Sequence, residues 1–270
     1  FLCLLLLALV QFPVCAQRLE TELNTGWNFI AGENITNEQQ NWPINGLPAG
    51  KVAVTLPHTW NVMPGLEKYW GKGWYETILD IPKETKSKTV RLQFDGVYHD
   101  ATVWINGKKA GGHYGAGYTR FFIDITNFVN YGKPNRVVVL TDNEASRNSL
   151  PFMKSFDWAH DGGIYRSVKL IITDPCYIER VEIIATPDRL DCKHGKLKLK
   201  IVAPANVINA KTTRITAQIQ EENQSTSNII FSGLLHLNQG KFLETELDLD
   251  SIKPWHFDRP NLYTIKLQLL

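Results

Sequence analysis

Apolar and polar side chains alternate with a period of two through most of this chain. In "TVRLQFDGV" Val90, Leu92 and Phe94 alternate with Arg91 and Gln93, the spacing of a half-buried β-strand. "ATVWINGKKAGG" follows. Its Asn106-Gly107 pair marks a two-residue hairpin turn, because both residue types tolerate positive φ. "NRVVVLTDN" and "YRSVKLIITD" are further β-branched runs. No stretch keeps an apolar period of 3.6 residues over three turns, so the pattern predicts an all-β protein. Asp174-Pro175 breaks the pattern. Beyond it, "YIERVEIIATP", "KLKLKIVAP", "TRITAQIQEE", "KFLETELDLDS" and "NLYTIKLQLL" are short strands at roughly ten-residue spacing, the pattern of a small sandwich. The expected organisation is a jelly-roll-type β-sandwich over 17–175 and an immunoglobulin-like β-sandwich over 176–270.

The first residues depart from this pattern. "FLCLLLLALV" is too short to span a membrane, and Val14-Cys15-Ala16 reads as a small-residue cleavage site before Gln17. Residues 1–16 are therefore read as a signal peptide, which implies export to the periplasm or the extracellular space. A buried N-terminal helix is the alternative. Cys3 and Cys15 leave with the signal, so Cys176 and Cys192 remain. In an oxidising compartment these two either pair or stay as separate thiols, and their spacing matches no metal site.

Composition narrows the function. Hydrophobic residues make up 43% of the 270 residues and charged residues 21%, so a packed core is expected. A net charge of +2 with no basic cluster gives no case for nucleic acid, and no membrane span is present. There is no G-x-S-x-G, H-E-x-x-H, phosphate-cradling loop or C-x-x-C. Seven of the eight tryptophans lie at or before Trp158. Four of the seven fall in "LPHTWN", "KYWGKGWYE" and "FDWAHDGG", while "GGHYGAGYTRF" adds tyrosines. These loops pair aromatic rings with hydrogen-bonding groups, which suits the apolar faces and hydroxyls of sugars. The same rings also suit the core and corners of a sandwich, and residue types alone leave both readings open.

The ordered series "LPHTWN", "GKGWYE", "RLQFDGV", "VWINGKKAG", "NRVVVLTDN" and "GGIYRSVKL" resembles the sugar-binding domain of glycoside hydrolase family 2. "KPWHFDRPNLYTIKL" resembles the last strand of the immunoglobulin-like domain that follows it there. The resemblance covers residues 20–270. It implies that the loop before Gly163-Ile164-Tyr165-Arg166 reaches a sugar. Asp157 then contacts a substrate hydroxyl, Trp158 and His160 line the pocket, Gly162 and Gly163 permit the turn, and Arg166 fixes the loop. An ionised carboxylate can accept from two hydroxyls and so tell sugar epimers apart. Asp157 as a plain loop cap is the alternative.

The family carries its catalytic carboxylates on a (β/α)₈ barrel after these two domains, and a retaining glycosidase needs two of them about 5–5.5 Å apart. No alternation of strands and helices occurs in these 270 residues. The chain by itself is therefore expected to be inactive, with no catalytic residue and no cofactor of its own. Its parent is expected to be a retaining β-glycosidase. The "LPHTWN" and "KYWGKGWYE" loops are more similar to the β-galactosidase branch than to the β-glucuronidase one. Mg²⁺ or Na⁺ in the parent and assembly as a homo-oligomer are implied as open questions. A stand-alone carbohydrate-binding module and an adhesin-like sandwich with no sugar site are the rival readings.

Overall fold

The structure is a computed structural model that describes residues 18–32, 41–144, 160–210, 212–222, 228–240 and 242–270. The described residues form two compact units, Arg18–Pro175 and Cys176–Leu270. Both are antiparallel β-sandwiches, a jelly-roll type followed by an immunoglobulin-like one.

In the first unit the strands are β1 (Leu19–Glu22), β2 (Trp27–Gly32), β3 (Val52–Val54), β4 (Lys72–Asp80), β5 (Thr89–Phe94), β6 (Asp100–Ile105), β7 (Lys108–His113), β8 (Phe121–Asp124), β9 (Pro134–Asp142) and β10 (Val168–Thr173). One sheet has the order β1-β10-β5-β8 and the other β3-β2-β4-β9-β6-β7. Their inward side chains form one core. Val90, Leu92 and Phe94 of β5, Leu170 of β10 and Phe121 of β8 meet Phe29 of β2, Tyr75 of β4, Val103 of β6 and Val137 of β9. Strand β5 is buried on both faces: Arg91 and Gln93 are as hidden as their apolar neighbours. The half-buried expectation therefore fails there, because β5 lies inside its sheet and the Arg91 guanidinium lies over the Phe122 ring at 5.4 Å.

The Asn106-Gly107 expectation holds. Both residues have positive φ, 50° and 83°, and the turn joins β6 to β7 with Ile105 opposite Lys108. The six-stranded sheet also has a covered outer face. A single-turn helix α1 (Trp42–Asn45) brings Trp42 against Trp74, which packs in turn on Trp104, so these tryptophans form a third apolar layer.

In the second unit β11 (Arg180–Pro187), β12 (Gly195–Val202), a single-turn helix α2 (Ala205–Ile208), β13 (Ile215–Glu221), β14 (Ile229–Leu234), β15 (Asn238–Gln239), β16 (Leu243–Leu249) and β17 (Tyr263–Leu269) follow. The sheets are β11-β12-β16-β15 and β14-β13-β17, and their core centres on Leu199, Ile201, Ile215, Ile219 and Leu243. Cys176 and Cys192 are exposed and unbridged. They lie beyond opposite ends of β11, whose 8 residues span about 24 Å. A disulfide needs Cα atoms within about 7 Å, so the pairing alternative is set aside.

Candidate functional site

Strand register gathers the site. Lys72 at the start of β4 lies opposite Asp142 at the end of β9, and Asp142 lies opposite Asp100 at the start of β6. In the other sheet Val168, Phe94 and Phe121 line up in the same way. The short segments 95–99 and 160–167 join these two sheet ends, so the loops at 56–71, 95–99, 113–120 and 160–167 share one end of the sandwich.

The loop holding Trp60 is built first. Thr59 caps a 3₁₀ turn over Trp60–Val62 by accepting from the Asn61 N–H at 3.3 Å. Trp60 is thereby fixed in the core, stacked on Phe29 at 5.8 Å. The Asn61 side chain donates to the Leu66 and Tyr69 carbonyls at 3.2 and 3.1 Å and accepts from the Gly162 N–H at 2.8 Å. The two glycines of "DWAHDGG" now have a physical cause. A Cβ on Gly162 would stand 1.9 Å from Cζ2 of Trp60. Gly163 has φ +134° and exchanges two backbone hydrogen bonds of 2.9 Å with Tyr98. The segment is pressed between Trp60 and Tyr98, where only glycine fits.

His160 enters this frame with 4% of its surface exposed. Its Nδ1 lies 2.5 Å from the Tyr98 hydroxyl, and its carbonyl accepts from Asn143 Nδ2 at 2.8 Å. Asn143 Oδ1 accepts from the Gly71 N–H at 2.8 Å, and this holds the turn that carries Trp70. The Trp70 ring centre is 5.1 Å from the imidazole. Burial lowers the His160 pKa against the opposing pull of Asp161, so the ring is held neutral. Burial, aided by Tyr118, raises the Tyr98 phenol, so it keeps its proton. The protonated Tyr98 hydroxyl and the neutral imidazole therefore share this hydrogen bond with no charge on either partner. Beside them, His99 Nδ1 meets Asp100 Oδ1 at 2.7 Å, and Asp100 also accepts from the Gly115 N–H at 2.9 Å. Burial pushes the Asp100 carboxyl up, but these hydrogen bonds outweigh it and hold the group below its usual range.

Of the residues singled out from sequence, His160 is fixed at the mouth of this end, while Asp157 and Trp158 lie outside the described residues. Arg166 donates to the Asp95 carbonyl at 3.4 Å and flanks the Tyr165 ring, so it braces the loop. Tyr98, Asn61 and Asn143 carry the geometry and were not singled out. Asn61 and Asn143 are ordinary polar residues in sequence, and Asn143 stands 17 residues from its partner His160. Most loop aromatics belong to the core: Trp60, Tyr75 and Tyr98 are buried. The arrangement sets the Trp70 ring beside a fixed imidazole, with the Asn61 and Asn143 amides engaged in holding the loops, a set suited to binding hydroxylated ligands rather than to nucleophilic attack. Among the described residues, no group of three or more His, Cys, Asp or Glu is placed to hold a metal ion. No helix among them is long and apolar enough to cross a membrane.

Two family descriptions match the chain: the sugar-binding domain of glycosyl hydrolases family 2 over residues 48–175, and a further glycosyl hydrolases family 2 domain over 176–270. A β-glucuronidase of Bacteroides fragilis is 32% identical over 98% of this chain, which spans 37% of that protein. A β-galactosidase of Bacteroides ovatus is 25% identical over 94% of this chain, which spans 30% of it. The solved β-glucuronidase of Bifidobacterium dentium superposes with a TM-score of 0.80 at 20% identity, covering 94% of this chain and 46% of that one. The chain thus spans about a third of the length of the curated relatives it matches.

Proposed function

The chain belongs to glycosyl hydrolases family 2, and from that premise we propose that it is the sugar-contacting, non-catalytic portion of an exported retaining β-glycosidase. The observation that carries this reading is the clamped segment 160–163. Trp60, Asn61, Tyr98 and Asn143 hold it rigidly at one sheet end, as a loop must be held if it is to present side chains to a substrate. Asp157 and Trp158 precede that clamp by a few residues, so the clamp limits where they can reach. In this reading Asp157 accepts from a sugar hydroxyl, Trp158 offers a ring to an apolar sugar face, and His160 lines the pocket beside Trp70.

The two carboxylates that protonate the leaving group and form the glycosyl-enzyme are supplied by a barrel elsewhere in the parent protein. The substrate is a terminal β-galactoside, the class favoured by the loops around Trp60 and Trp70. A β-glucuronide is the second reading, favoured by the higher identity to the Bacteroides fragilis relative. Export rests on the apolar stretch before Gln17. Use of Mg²⁺ or Na⁺ by the parent is tested by chelation and by sodium replacement.

The decisive experiment is Asp157→Ala in the parent enzyme, assayed on paired β-galactoside and β-glucuronide substrates. The expected result is a loss of about a hundredfold in kcat/KM with unchanged melting, as for removal of a charge-assisted contact to the transition state. Unchanged activity would return Asp157 to a loop-capping role.

A further inference from the structure

We propose that the pocket between Arg120 and Arg166 is a second ligand subsite, which takes an oxyanion group, carboxylate or sulfate, carried on a carbohydrate chain. It rests on the carbohydrate reading given above and extends it to a distal unit of the ligand. The pocket is a cavity of about 500 Å³ lined by Pro57, Asp95, Arg120, Arg166 and Ser167. Four of the five sit next to strand ends. Asp95 follows β5, Arg120 precedes β8, and Arg166 and Ser167 precede β10, so the pocket is fixed by the sheet rather than by a free loop.

Its charges do not balance. The Asp95 Oδ1 atom is engaged by Arg120 Nε at 2.6 Å and by Gln93 Nε2 at 2.7 Å. Among the described residues Arg166 meets the Asp95 carbonyl at 3.4 Å and the Tyr165 ring at 5.2 Å. Among the described residues no carboxylate pairs with Arg166. One carboxylate against two guanidinium groups leaves a positive charge uncompensated. The Tyr165 face and the Asp95 carbonyl orient the Arg166 fork, and a planar fork of donors matches an oxyanion better than a neutral hydroxyl.

The position gives the ligand its class. The segment 160–167 runs from His160, at the end of the six-stranded sheet, to Ser167, at the end of the four-stranded one. Stacked sheets lie about 10 Å apart, a spacing that a short oligosaccharide can span. Of the tyrosines along this segment, Tyr118 presents an exposed ring and Tyr98 supports it from the core. The Tyr98 and Tyr118 rings are 5.4 Å apart, the Tyr165 hydroxyl donates to the Gly117 carbonyl at 2.8 Å, and Tyr118 is half exposed. A glycan that runs along aromatic rings into a basic pocket is one whose distal unit carries an anion.

The test is calorimetric titration of the full chain with a galacturonate trisaccharide, a sulfated galactose trisaccharide, the neutral galactose trisaccharide and sodium sulfate. The expected result is that at least one acidic trisaccharide binds about tenfold more tightly than the neutral one at low salt. Which of the two does so tells carboxylate from sulfate. Arg166→Gln should abolish that preference, read as the ratio of acidic to neutral affinity within the variant, because Arg166 also braces the loop. Arg166→Lys should keep part of it. Arg120→Gln serves as the second variant, with its melting measured because it also frees Asp95. Equal binding of acidic and neutral trisaccharides overturns the subsite while the sugar site stands. A preference that survives both glutamine variants overturns it as well. Sulfate alone matching the acidic trisaccharides overturns the carbohydrate assignment. Absence of binding by all three trisaccharides overturns the subsite, while the carbohydrate reading stands or falls on Asp157→Ala in the parent enzyme.

Discussion

At the scale of single residues, the clearest constraints are steric and protonic. Gly162→Ala would drive a methyl into Trp60, where the required gap is already 1.9 Å. We expect a loss of about 3 kcal/mol, the upper end for overpacking, read as a lower denaturant midpoint with an unchanged slope. Tyr98→Phe leaves His160 Nδ1 buried without that hydroxyl and should cost about 1–2 kcal/mol. His58 and His160 both have pKa values lowered by burial. The unfolded chain therefore binds protons at these sites before the folded one does. Stability from both groups is full above the ordinary histidine range and falls as pH drops through it towards their folded values. Melting followed from pH 7.5 to 5 should show this decline, and the double variant His58→Gln with His160→Gln should flatten it. An equally steep decline in the double variant would assign the effect to other groups. The two glycines were legible as a turn from sequence. Their cause was not, because Trp60 stands about a hundred positions away in the chain.

At the scale of elements, the period-two pattern located the central strands because it reports a real division between core and outer face. It did not reveal that both faces of β5 are covered, since Arg91 and Gln93 look like solvent-facing residues in isolation. Nor did it find the third apolar layer, which depends on the single turn of α1 bringing Trp42 to Trp74. Loop placement was equally hidden. Asn143 ties the end of β9 to both the Trp70 turn and His160, and this depends on strand register. Asn143→Ala should leave the Gly71 N–H and the His160 carbonyl without those partners and cost about 3 kcal/mol. Its loss should appear first as faster amide exchange in 69–71 and 160–163, ahead of exchange in β5 and β9. Uniformly faster exchange through the sheet would show that Asn143 supports the sandwich as a whole and not the loops in particular.

At the scale of the whole molecule, each unit has its own apolar core, one centred on Val103 and Phe94 and the other on Leu199 and Ile219. Polypeptides of residues 18–175 and 176–270 should therefore each fold and unfold cooperatively when made separately. A molten far-UV signal without a melting transition in either would contradict this. The 270-residue chain should show no turnover of β-galactosides or β-glucuronides, because a retaining mechanism needs a carboxylate pair from the barrel. Measurable hydrolysis by a homogeneous preparation would overturn that assignment. The exposed cysteines add a practical consequence. In a chain that begins at Gln17, Cys176 and Cys192 are the sole thiols, and β11, about 24 Å long, stands between them. Donor and acceptor dyes placed there form a molecular ruler for the second sandwich alone. Energy transfer would then time the unravelling of that sandwich while the first one remains optically silent.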